Sequence, residues 1–154
     1  MLLATAAFLV VFVYATVHVR SIILAFYSMI QTLMAFPIAY FLYRVIFQIS
    51  FYNTLNNASI FIIFGVAADD LFIFSDAWKQ TAKTNDSLDK RIALTYRRAS
   101  KAMFVTSFTT AAAFLYTGLS GIAPISSFGY FTSILIVSNY CLTITMFPAM
   151  IVIL

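Results

Sequence analysis

Apolar positions along this chain come in long unbroken runs, not in the alternation of a half-buried strand or the one-sided stripe of a surface helix. The runs fall at about residues 2–17, 21–43, 58–78, 102–119 and from Ser126 to the last residue. Most reach the roughly 20 residues that cross a hydrocarbon layer at about 1.5 Å per residue, and together they predict five transmembrane helices. Pro37, inside the second run, predicts a kink whose freed carbonyl is satisfied by neighbouring helices. The 44–57 connection, RVIFQISFYNTLNN, mixes aromatic and polar residues as chain does where it runs along a headgroup layer. The polar segment 79–101 has helix-start residues at Asn85 and Asp86. Leu88, Ile92, Tyr96 and Met103 fall near one helical face there, with Lys90, Arg91, Arg97 and Arg98 largely elsewhere, which predicts a helix lying on the interface. The expected fold class is an all-α polytopic membrane protein: five transmembrane helices plus a cytoplasmic interfacial amphipathic helix.

Composition agrees with that pattern. Of 154 residues 63% are hydrophobic and only 9% charged, and the mean hydropathy is +0.98, too apolar for a soluble globule of this size. The first run starts at Met1, and no A-x-A-like cleavage motif precedes a soluble mature domain, so it reads as a span and not as a removable signal peptide. The chain as a whole reads as a piece of something larger. The single cysteine, Cys141, lies within the fifth run; it forms no intrachain disulfide and is expected to be a small packing residue.

The net charge of +4 matters less than its placement. Arg20 follows the first span and Arg44 the second, whereas Lys79, Lys83, Lys90, Arg91, Arg97, Arg98 and Lys101 all lie between the third and fourth. Alternating spans put eight of the nine basic residues on one side. The positive-inside rule makes that side cytoplasmic, with the N-terminus outside and the C-terminus inside. Orientation and attraction to anionic headgroups account for the basic segment, so nucleic acid is not an expected partner. Of the two glycosylation sequons, Asn57-Ala58-Ser59 lies at the outer membrane edge and Asn85-Asp86-Ser87 on the cytoplasmic side; both are expected to stay bare.

The third run breaks its own pattern. GVAADDLFIFSDAW (65–78) sets Asp69 and Asp70 side by side near mid-membrane. Each costs about 2.5–3.5 kcal/mol at the centre of a spanning helix, and side chains so short cannot reach water by bending. Adjacent carboxylates also repel, so one proton or one metal ion held between them is the natural resolution. Successive helical residues diverge by about 100°, which aims the two acids at different neighbours. Asp76, near Trp78 and Lys79, sits at the interface, where a carboxylate is inexpensive. Gly65, one turn before Asp69, invites close approach of a partner helix. The fourth span supplies Thr106, Ser107, Thr109 and Thr110 ahead of three alanines, either to meet the acids or to bond their own helix backbone. Asn139, midway along the fifth span, must find partners either as glue between helices or as an ion ligand.

Gly65-Val66-Ala67-Ala68-Asp69-Asp70 resembles the G-x-x-x-D-D proton-relay motif in the fourth helix of the resistance-nodulation-division transporter superfamily. FPIAYFLYR (36–44), ADDLFIFSDAWKQ (68–80), RRASKAMFVTSFTTAAAF (97–114) and FGYFTSILIVSNYCLTITMFPA (128–149) are together similar to the sterol-sensing-domain region of Dispatched-like proteins. D-A-W-K-Q after the acidic helix is closer to that group than to the Patched or Niemann-Pick type C kind. Ala67 stands where relatives commonly have a second glycine. The resemblance implies that 1–154 is half of a twelve-helix bundle, its second to sixth helices, without the first helix, the extracellular domains or the second half. It implies a cation-coupled exporter of lipids or lipid-modified proteins, releasing cholesterol-modified Hedgehog-type signals at the plasma or an endosomal membrane. Asp69 and Asp70 would be its cation relay, with sodium or a proton as coupling ion. The expected partners are membrane lipid or sterol, a lipid-modified secreted protein, and the remaining half of the transporter, which often adds an acid to the site. Gly65, Thr106, Thr109, Thr110 and Asn139 would support the relay by packing or hydrogen bonding, and no residue is assigned a catalytic role. A sterol-binding module without transport is the alternative. An intramembrane aspartyl protease is disfavoured, because its two carboxylates converge on one water from separate helices, and here the central pair shares one.

Overall fold

The computed structural model describes residues 9–10, 12–14, 16–17, 22–81 and 88–153. Among them all regular structure is helical: α1 (Ile22–Phe41), a π-helical turn (Leu42–Ile46), a 3₁₀ turn (Thr54–Ala58), α2 (Ser59–Thr81), α3 (Leu88–Thr117) and α4 (Ala123–Ile153). Most of the first predicted span, and the expected helix start at Asn85 and Asp86, lie outside the described residues. Among the described residues three segments are long and apolar enough to cross a membrane: Ile22–Ile46, Thr54–Thr81 and Ala123–Met146.

The third helix departs from expectation. Residues 88–101 are not a separate interfacial helix but continue without a break into the fourth predicted span. No glycine or proline interrupts Leu88–Thr117, so the helix propagates across the polar-to-apolar boundary. At 30 residues it is about 45 Å long, well beyond the roughly 30 Å hydrocarbon layer, and its basic first half extends past that layer. The inward face differs as well. Thr95, Ala99, Met103, Ser107 and Ala111 are buried, whereas Tyr96 is 37% exposed. Small side chains spaced four apart let α3 lie close to its neighbours. Lys101 and the hydroxyl-bearing residues of its second half lower its hydropathy, which keeps α3 out of that group.

Two apolar clusters fill the bundle. One holds Ala25, Leu71, Phe74, Ala77, Ala99 and Met103. The other is built on Ala35, Ala39, Tyr43, Ile63, Ala111, Phe131, Leu135 and Ile136. All four α-helices contribute, with α4 packed against the other three.

Polar contacts close both ends. At the start of the 44–57 connection, the π-helical turn ends on a hydrogen bond donated by the Phe47 backbone N–H to the Leu42 carbonyl at 3.0 Å, five residues back, and turns Tyr43 fully inward. The Tyr43 hydroxyl donates to the Phe51 carbonyl at 2.7 Å, and the Asn56 amide donates to Ser127 at 2.9 Å, tying this connection to α4. At the opposite end Arg91 stacks over Trp78, 3.9 Å from the ring centroid, and the hydroxyls of Thr81 and Thr95 pair at 2.7 Å. These contacts fasten the end of α2 to the start of α3. Pro37 lies within α1 without ending it.

Candidate ion-binding site

Between the two apolar clusters lies a polar layer. Along α1, Gln31 falls between Ala25 and Ala35. On α2 Asp70 falls between Ile63 and Leu71, and on α3 Ser107 falls between Met103 and Ala111. Asn139, on α4, follows Ile136 and precedes Thr143. All five polar residues are buried, Asp70 to 1% exposure and Asn139 completely.

The layer is wired by a few bonds. Asn139 Nδ2 donates to Asp70 Oδ2 at 3.2 Å. Gln31 Nε2 donates to the Thr143 hydroxyl at 2.8 Å, which donates on to the Asn139 backbone carbonyl at 2.9 Å. The amide nitrogens are thereby engaged, while among the described residues Asp70 Oδ1, Asn139 Oδ1, Gln31 Oε1 and Ser107 Oγ find no hydrogen-bond partner. A carboxylate held by one donor and open on its other oxygen can take up a proton or a small cation.

The two acids part company. Asp70 turns into the bundle, whereas Asp69 is exposed on its surface. Asp76 is exposed too, with its carboxylate 4.0 Å from Lys79 Nζ on the next turn. Among the described residues no group of three or more His, Cys, Asp or Glu is placed to hold a metal ion, so the available ligands at Asp70 are one carboxylate and neutral oxygens.

Several predicted supporters stand elsewhere. Gly65 is exposed, and a Cβ there would meet nothing within 4 Å, so the expected contact with the fourth predicted span is absent among the described residues. Thr106 and Thr109 are exposed and Thr110 half-buried. Thr106 donates to Ala102 and Met103 carbonyls, Thr109 to Val105 and Thr106, and Thr110 to Thr106 at 2.8 Å. Each hydroxyl satisfies itself on its own helix, which removes its need for the acids. Close helix approach occurs instead at Gly118 and Gly129. A Cβ at Gly129 would strike backbone atoms of Gly118 and lie 2.6 Å from the Phe114 carbonyl oxygen. Gln31 escaped the sequence reading; its signal was an amide inside an otherwise apolar span, which needs a partner for the same reason as Asn139. Cys141 is exposed, so it does not fill the core as expected.

Apart from this layer, a crevice of about 580 Å³ opens beside the π-helical turn, lined mainly by Leu42, Ile46, Leu115, Tyr130, Ile134 and Val137.

A helical bundle with a mid-membrane acid and an apolar crevice is the architecture of a polytopic membrane domain, and over residues 16–154 the chain matches the family described as the sterol-sensing domain of SREBP cleavage-activation. The chain belongs to that family. Within it the chain is Dispatched-like. It is 34% identical over 148 residues to human Protein dispatched homolog 1, covering 95% of this chain and 10% of that protein. It is 31% identical to Protein dispatched of Drosophila melanogaster, covering 90% of this chain and 14% of the relative. With chicken Protein dispatched homolog 3 the identity is 33%, over 84% of this chain and 10% of the relative. The chain thus spans about a tenth of the length of the curated relatives it matches.

Proposed function

We propose that this segment is the transmembrane part of a cation-coupled exporter of lipid or lipid-modified protein, releasing cholesterol-modified Hedgehog-type signals, and that Asp69 and Asp70 carry its coupling ion. The observation that carries the reading is Asp70: a carboxylate 1% exposed, held on one oxygen by Asn139 and open on the other. Two acids near mid-membrane cost on the order of 5–7 kcal/mol on an insertion scale, and a structural role does not need that cost. A desolvated acid changes its protonation or occupancy when its surroundings shift, which lets an ion load from one side and leave toward the other. Asp69, on the bundle surface, faces a further element of the intact transporter. Similarity to the Dispatched proteins supports the cargo class.

The test is gradient-driven export of a cholesterol-modified cargo by a full-length protein carrying this segment, normalised to surface protein. Asp69→Asn and Asp70→Asn are each expected to abolish export while leaving expression and membrane insertion intact. Asp76→Asn should retain most of it, because that carboxylate is hydrated and has Lys79 beside it. Wild-type export by the Asp69→Asn, Asp70→Asn double variant ends the relay reading.

The apolar crevice supports a second reading, a sterol-binding module without transport. Sterol binding unaffected by sodium and proton gradients, together with export that survives loss of both acids, favours it.

A further inference from the structure

One face of α3 is left uncovered by the described bundle. Lys90, Arg97 and Lys101 are spaced by seven and four residues, which at about 100° per residue sets them within about 40° of one another. All three are exposed, and they point roughly opposite the buried Ala99. Phe104 and Phe108 continue the same face toward the hydrocarbon layer. They are themselves exposed, with their rings stacked at a centroid distance of 5.6 Å. Arg98, also exposed, is turned about 100° away from Arg97. Among the described residues no carboxylate pairs with the three cations of the face; Asp76 lies against Lys79 instead.

The face turns from basic to aromatic between Lys101 and Phe104, a step of about 4.5 Å along the axis. Beside its aromatic part a groove of about 250 Å³ lies between α3 and α4, lined by Phe104, Phe108, Val137 and Cys141 among others. These four are exposed on the outside of the bundle, so the groove is open to an acyl chain, while the cations next to it call for an anionic headgroup. Depth selects the headgroup. The headgroup layer adds only about 5–7 Å to each side of the hydrocarbon, whereas Arg97 stands about 6 Å beyond Lys101, and Lys90 about 16 Å beyond it. A headgroup with a single phosphate beside its glycerol meets Lys101 alone. An inositol ring bearing further phosphates stands out from the layer and brings negative charge to Arg97 as well, whose guanidinium suits a phosphate. We propose that the 90–108 face of α3 is a binding site for a phosphatidylinositol phosphate of the cytoplasmic leaflet, with an acyl chain in the α3–α4 groove and the ring phosphates on Arg97 and Lys101. Lys90, further out, adds to the attraction. The site rests on the expected cytoplasmic placement of 79–101 and is independent of what Asp69 and Asp70 carry.

The experiment titrates the full-length protein carrying this segment, purified in detergent, with a fluorescent phosphatidylinositol bisphosphate, using phosphatidylserine as competitor. Saturable binding that phosphatidylserine does not displace at equal concentration is expected. Arg97→Gln and Lys101→Gln should each weaken it about fivefold, the effect of one charge at the membrane surface, and Arg97→Lys should weaken it less than Arg97→Gln. Arg98→Gln removes the same charge one residue away on a different face, and should change the affinity by less than about twofold. All these positions are exposed, so the fold does not depend on them. Equal losses for Arg97→Gln and Arg98→Gln, or displacement by phosphatidylserine, mean diffuse attraction to anionic lipid and overturn the site, as does a wild-type protein that binds no probe. A second probe, with a photoactivatable group in its acyl chain, locates the other end of the lipid. Crosslinks within residues 104–108 or 137–141 are expected; crosslinks confined to the crevice beside the π-helical turn overturn the proposed seat.

Discussion

Asn139 and Asp70 form a pair in which neither side chain is content alone. With Asn139 replaced by leucine, the carboxylate keeps its burial and loses its donor, at a cost of about 1–3 kcal/mol. A lower melting temperature is therefore expected for Asn139→Leu in detergent, with recovery in the Asp70→Leu, Asn139→Leu double variant, where both polar groups are gone. Unchanged melting of the single variant would sink the pairing. Asp69 and Asp70 stood out in the sequence as a pair because a mid-span carboxylate has no inexpensive explanation. Which of the two acids faces inward was not legible. Both have apolar neighbours on the bundle side and on the lipid side, so nothing in the local sequence distinguishes a buried position from an exposed one. Gln31 was hidden for a related reason: an uncharged amide costs less than a carboxylate and marks its position more faintly.

At the scale of elements, the apolar runs placed α1, α2 and α4 to within a few residues, since run length follows from the thickness of the hydrocarbon layer. Helix facing was another matter. Phe61, Phe104 and Phe108 are 48%, 50% and 61% exposed, so large apolar residues cover the outside of this bundle as readily as the inside, and hydrophobicity loses its power to tell the two apart. Size takes over that role, as the buried Ala99, Ser107 and Ala111 on α3 illustrate. A glycine, however, signals close approach only if a neighbour is there. Gly65 has none among the described residues, while Gly129 on α4 meets Phe114 and Gly118 at the end of α3. Gly129→Ala should therefore overpack that junction and destabilise by about 1–3 kcal/mol. Gly65→Ala should be neutral or stabilising by up to about 1 kcal/mol, through helix propensity alone. Thermal unfolding of the two variants side by side checks this, and equal losses would count against the α3–α4 contact.

For the whole molecule, the seven basic residues between Lys79 and Lys101 are expected to orient the bundle with that segment in the cytoplasm. An optimised glycosylation sequon introduced near Asn85 should remain unmodified in cells, and its modification would overturn the orientation. This expectation rests on charge placement, which follows insertion and does not depend on packing. The exposed Asp69 adds a demand that the described bundle does not meet by itself. In lipid, an acid at that depth is a standing penalty of about 2.5–3.5 kcal/mol, relieved only when another polar surface covers it. Quality-control machinery that inspects newly made membrane proteins could read it as a mark of incomplete assembly. The segment expressed alone should therefore be short-lived, and Asp69→Leu should lengthen its half-life in a pulse-chase measurement, whereas Asp70→Leu, already enclosed, should change it little. The residue proposed to carry an ion in the finished transporter would then serve an earlier purpose as an assembly checkpoint, holding back any copy whose halves have not met.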